Sequence, residues 1–223
     1  MAFNHSYTTE KAVMSTTETN KVLKSTYFLL AMTLAFSALT AAISMTMALP
    51  RFTGLVCSLV AMGLIFVIQK KANSSSAIGL VFLFTGILGF GLGPMLNSYL
   101  NLPNGGLLIA QALGSTALIF FGLSAYALTT KKDFSFMGGF LTIGILVTVG
   151  ISIVNIFIGS PIVFIAINAV FVLLMSAMIL FETSRIVNGG ETNYVLATVG
   201  LFVAIYNLFT SLLMLLGVMS SDD

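Results

Sequence analysis

The chain has 223 residues, 58% of them hydrophobic, and only nine Lys or Arg and seven Asp or Glu. At 7% its charged fraction falls far below the quarter or so that a water-soluble domain needs, so an ordinary soluble globule is excluded. A net charge of +2 with no basic run excludes nucleic-acid binding. One cysteine (Cys57) and one histidine (His5) leave nothing for a disulfide, a zinc cluster or histidine-dependent hydrolysis. No catalytic, cofactor-binding or metal-binding residue is expected, and no enzyme.

The charges are clustered. None falls between Lys24 and Arg51, Arg51 and Lys70, Lys71 and Lys131, Asp133 and Glu182, or Glu191 and Asp222. A bilayer span takes about 20 apolar residues, so every gap can cross a membrane and two can cross it twice. The fold class is all-α: a multi-pass, seven-transmembrane helix bundle with the lipid bilayer as its solvent. Continuous apolar runs, rather than ~10-residue alternating segments, exclude a membrane β-barrel.

Residues 1–24 read as a flexible polar tail. The apolar run that follows is too long for a signal peptide and predicts a first span over Ser25–Leu49, stopped by Pro50-Arg51. A second span, Thr53–Gln69, ends at Lys70-Lys71. The third and fourth, Ala77–Leu96 and Gly106–Leu128, divide at a cluster of Asn, Pro and Gly. Thr129 to Asp133 form a charged turn. The fifth and sixth, Phe134–Ile158 and Pro161–Phe181, divide at Gly159-Ser160-Pro161, where proline suits the first helical turn. The seventh, Tyr194–Val218, leaves a short acidic tail at 219–223.

Seven crossings put the two termini on opposite sides. Lys11, Lys21, Lys24, Lys70, Lys71, Lys131, Lys132 and Arg185 then share one face, against Arg51 alone on the other. The basic face is predicted cytoplasmic, with the N-terminus inside and the C-terminus periplasmic.

Within the spans, Gly86, Gly89, Gly91 and Gly93 before Pro94, and Gly138, Gly139 and Gly144, predict close helix packing rather than a phosphate loop. Gln111, Asn155, Asn168 and Asn207 predict interhelical hydrogen bonds, in preference to coordination of a solute. Glu182 is the one carboxylate placed to reach the bilayer core, and Arg185, three residues on, shares its helix face. Two readings stand side by side: an interfacial ion pair at a helix end, or a protonatable group facing a cavity.

Several stretches together carry a resemblance. They are Tyr27 to Ala35, Gly93 to Asn97, Ser124 to Phe136, Leu180 to Ser184, Gly189 to Tyr194 and Leu201 to Phe209. On these residues the chain resembles the Bax inhibitor-1 (TMBIM) family, and within it the bacterial YccA branch. The resemblance implies a seven-helix bundle around a central seventh helix, in the bacterial inner membrane. It also implies association with FtsH, the membrane-anchored ATP-dependent protease, as a modulator. The alternative it implies is a pH-sensitive calcium or cation leak gated by two carboxylates. Glu182 matches the first in position, with Glu in place of the family's Asp, and Ala204 stands where the second Asp is expected. The family's arginine near the second and third spans has no match; Lys70 and Lys71 are the nearest cations. Glu182, Arg185 and Asn207 are the candidate proton- or cation-sensing and gating residues.

Overall fold

A computed structural model describes residues 16–47 and 49–220. His5, Lys11, the first fifteen residues of the tail, Ala48 and the acidic end at Asp222-Asp223 lie outside the described residues. Seven helices follow in order: α1 Thr16–Met45, α2 Thr53–Lys71, α3 Ala77–Leu100, α4 Gly105–Thr130, α5 Met137–Ile158, α6 Pro161–Val187 and α7 Tyr194–Met219. Each is long and apolar enough to cross a membrane. The seven predicted spans all correspond to helices, and the differences lie at the ends. α1 starts nine residues before the apolar run, because Val22 and Leu23 pack on the core while Lys21 and Lys24 stay exposed. The weakly ordered tail expected through Lys24 is therefore helical from Thr16. α6 runs to Val187, six residues past the predicted end, so Glu182 lies inside the helix and Arg185 in its last turn.

α7 is the hub: it packs against α6, α4, α1 and α3. α3 lies between α1 and α2, and α5 sits on the periphery against α6. The core runs along α7 and holds Leu30, Val81, Phe84, Ile179, Leu201, Phe202 and Leu208, with the Phe84 and Phe202 rings edge to face at 6.0 Å. The outside is apolar too. Leu118, Phe140, Phe157 and Ile162 are each at least 70% exposed, an arrangement that lipid tolerates and water does not.

The glycines of α3 explain its central place. A Cβ on Gly89 would strike the Ser37 carbonyl of α1, one on Gly93 would strike Ser44, and one on Gly91 would come within 2.8 Å of Cys57 on α2. Close backbone approach substitutes for the hydrophobic effect, which is absent between helices in lipid. The helix continues unbroken through Pro94.

At one end of the bundle, called here the lysine face, lie the starts of α1, α3, α5 and α7 and the ends of α2, α4 and α6. Its loops are stitched to the helices by hydrogen bonds. Ser184 Oγ donates to the Lys132 carbonyl at 2.9 Å and accepts from the Phe134 amide at 3.0 Å. Asn188 Nδ2 donates to the Lys132 carbonyl at 3.2 Å. The opposite end, the Arg51 face, is tied by Asn97 Nδ2 donating to the Met45 carbonyl at 2.6 Å.

Candidate functional site: a buried carboxylate against the seventh helix

Glu182 lies five residues from the end of α6 and is 5% exposed. Its burial has a local cause on α7. Gly200 presents no side chain, and a Cβ there would sit 2.9 Å from both the Glu182 carboxyl carbon and Oε1. The carboxyl group therefore rests on the backbone of the central helix. Its other oxygen, Oε2, accepts from Arg185 Nη1 at 3.4 Å.

Arg185 is shared. Its Nη2 donates to Glu191 Oε2 at 3.2 Å, and its guanidinium stands 5.4 Å from the centroid of the Phe181 ring. Glu191 returns to Arg185 because the chain turns sharply after α6. Gly189 takes φ +70°, a conformation that glycine adopts without strain, and the Gly190 and Glu191 amides both donate to the Arg185 carbonyl, at 2.7 and 3.1 Å. Two carboxylates thus flank one guanidinium.

The network continues outward. Glu191 Oε1 accepts from the Asn193 amide at 2.9 Å. Asn193 Oδ1 caps α7 by accepting from the Val195 and Leu196 amides, at 2.9 and 3.3 Å. Asn193 Nδ2 donates to the Ala72 carbonyl at 3.2 Å and to Asn73 Oδ1 at 2.7 Å. A continuous set of polar contacts joins the α2–α3 loop to the start of α7, and through Glu191 and Arg185 to Glu182. A change of charge on Glu182 would be felt at Arg185 and at the α7 backbone.

Glu182 and Arg185 meet as a pair, but Asn207 does not join them. It sits seven residues beyond Gly200 on α7, about 10 Å along the axis. Ala204, between them, is fully buried in the apolar core. The cation at the carboxylate is Arg185; Lys70 and Lys71 are exposed at the end of α2. Glu191 and Asn193 fall within a resembling stretch that carries no expected role, and Gly200 falls in none; the Gly189-Gly190 pair is the one sequence signal for a tight return of the chain.

The in-span amides differ from expectation. Asn168 Nδ2 donates to the Phe164 carbonyl and Asn207 Nδ2 to the Val203 carbonyl, both at 2.8 Å and both within one helix. Asn155 Oδ1 accepts from the Ser160 amide of the adjoining turn at 3.2 Å. Gln111 is exposed on the outside of α4. None of the four bridges two helices among the described residues, and toward the Arg51 face cavities open on two flanks of α7. One, of about 680 Å³, lies between α5, α6 and α7; the other, of about 520 Å³, lies between α2, α3 and α7 and has Arg51 in its wall. Asn207, Thr210 and Met214 line both.

Residues 19–221 match the protein family described as inhibitor of apoptosis-promoting Bax1. The chain belongs to the Bax inhibitor-1 family. Three relatives align with it nearly end to end. A protein of Escherichia coli named as a modulator of FtsH protease, YccA, is 54% identical over 205 residues, 92% of this chain and 93% of its own. An uncharacterized membrane protein of Vibrio cholerae is 50% identical over 218 residues, 97% of this chain and 98% of its own. An uncharacterized protein of Pseudomonas aeruginosa is 49% identical over 217 residues, with the same coverage. The family match, the seven apolar helices and a relative named as an inner membrane protein make this Bax inhibitor-1 family member a multi-pass inner-membrane protein.

Proposed function

We propose that this protein binds the membrane-anchored protease FtsH and modulates it, with its lysine face in the cytoplasm. One observation carries this reading: 54% identity along nearly the whole of both chains to the Escherichia coli relative named for that role. The basic bias supports the orientation, since Lys21, Lys24, Lys70, Lys71, Lys131, Lys132 and Arg185 all gather at one end of the bundle. That end also carries the polar network, so a cytoplasmic partner would meet loops whose positions are fixed by Ser184, Asn188 and Asn193. Purification of the tagged chain in mild detergent is expected to bring FtsH with it. No association, together with unchanged turnover of FtsH substrates when the chain is deleted, would overturn the reading.

A second reading is a pH-sensitive calcium or cation leak. The observation in its favour is Glu182, a carboxylate buried against the central helix. Against a two-carboxylate gate stands Ala204, so any proton sensing here would fall to Glu182 with Arg185 and Glu191. The purified chain in calcium-loaded vesicles would then show a pH-dependent flux that Glu182→Gln abolishes. No flux, or flux indifferent to that change, would dismiss this reading.

A further inference from the structure

The cavity between α5, α6 and α7 stands apart from the Glu182 network and has its own chemistry. Its polar wall comes from Ser152, Asn155, Asn168, Asn207, Thr210 and Ser211, and among the described residues no charged side chain lines it. It begins at the Gly159-Ser160 turn on the Arg51 face and reaches Asn207, midway along α7.

Hydrogen-bond accounting restricts what could enter. Asn168 and Asn207 each commit one amide hydrogen to the carbonyl one turn back. Ser152 gives its only hydroxyl proton to the Thr148 carbonyl at 2.8 Å, and Thr210 gives its own to the Asn207 carbonyl at 3.1 Å. The deep wall keeps two amide oxygens with both lone pairs free, plus the lone pairs of the Ser152, Thr210 and Ser211 hydroxyls, against one spare N–H on each amide and the Ser211 O–H. It is therefore rich in acceptors. Near the mouth the balance reverses: Asn155 Oδ1 is taken by the Ser160 amide, and its two N–H groups are left. Phe164 and Phe171, also in the wall, offer aromatic surface that favours a cation.

We propose that this cavity is a binding site for a small primary ammonium compound entering from the Arg51 face. The ammonium would donate to Asn168 Oδ1 and Asn207 Oδ1, and any oxygen the compound carries would face Asn155. Anions are disfavoured because the wall holds no cation. Divalent metals are disfavoured because no carboxylate among the described residues lines it. The cavity across α7 is the wrong one for a cation, because Arg51 stands in its wall. Its size, about 680 Å³, falls in the range of small-molecule sites.

The test uses the full chain purified in detergent, with ethylammonium as probe and acetate, glycerol and calcium as comparators, read by saturation-transfer NMR and titration calorimetry. Saturable binding of ethylammonium is expected. It should weaken at least tenfold with Asn207→Leu and with Asn168→Leu, and stay unchanged with Glu182→Gln. Should the leucine variants not fold, the near-isosteric Thr210→Val, which removes one acceptor, is expected to weaken binding measurably. Absence of saturable ethylammonium binding, equal binding of glycerol or acetate, or binding indifferent to all the cavity variants would overturn the assignment.

Discussion

Glu182 reaches its buried position because residue 200 has no side chain. The carboxyl occupies the volume a methyl would need on α7, and Arg185 and Glu191 hold the far side of the contact. Gly200→Ala is accordingly expected to cost about 1–3 kcal/mol by overpacking. It should also displace the carboxylate from Arg185. Thermal unfolding in detergent should show the loss, and Glu182→Ala in the same background should recover most of it, since the clashing group is then gone. Equal stability of Gly200→Ala and the unaltered chain would mean the carboxyl does not rest there. The sequence disclosed half of this arrangement. Glu182 and Arg185 were legible because a three-residue spacing on one helix fixes their proximity. Glu191 and Gly200 were not, since one depends on a turn that folds back and the other on which face of α7 meets α6.

At the scale of elements, apolar length sets the helices and small residues set their neighbours. All seven spans were legible, because a charge-free run bounded by Asn, Pro, Gly or Lys has few other ways to satisfy its backbone in lipid. Their ends were less so: α6 continues through polar residues because Thr183, Ser184 and Ile186 are buried beside neighbouring elements. The Asn168 and Asn207 amides bond within their own helices for a related reason. A hydrogen bond to the preceding turn is always within reach of an in-span Asn, whereas a bond to another helix requires that helix to be close. Glycine contacts give a sharper test. Gly89→Ala places a methyl on the Ser37 backbone carbonyl and is expected to loosen the α1–α3 contact by about 1–3 kcal/mol or more. Gly79→Ala and Gly122→Ala meet nothing within 4 Å and should be neutral or gain up to about 1 kcal/mol from helix propensity. Similar losses at all three positions would show that α3 does not depend on close approach to α1.

For the whole molecule, the consequence of seven crossings is a division of labour between two ends. The lysine face carries most of the basic residues, the stitched loops and the Glu182 network; the Arg51 face carries the cavities that flank α7. The proposed engagement of a cytoplasmic protease and the proposed entry of an ammonium solute from the other side both require this polarity. It is best tested in cells by fusing a topology reporter after Asp133 and, separately, after Asp223, with protease digestion of sealed vesicles as the parallel readout. The first fusion is expected to report a cytoplasmic location and the second a periplasmic one. Both fusions reporting the same compartment would contradict it.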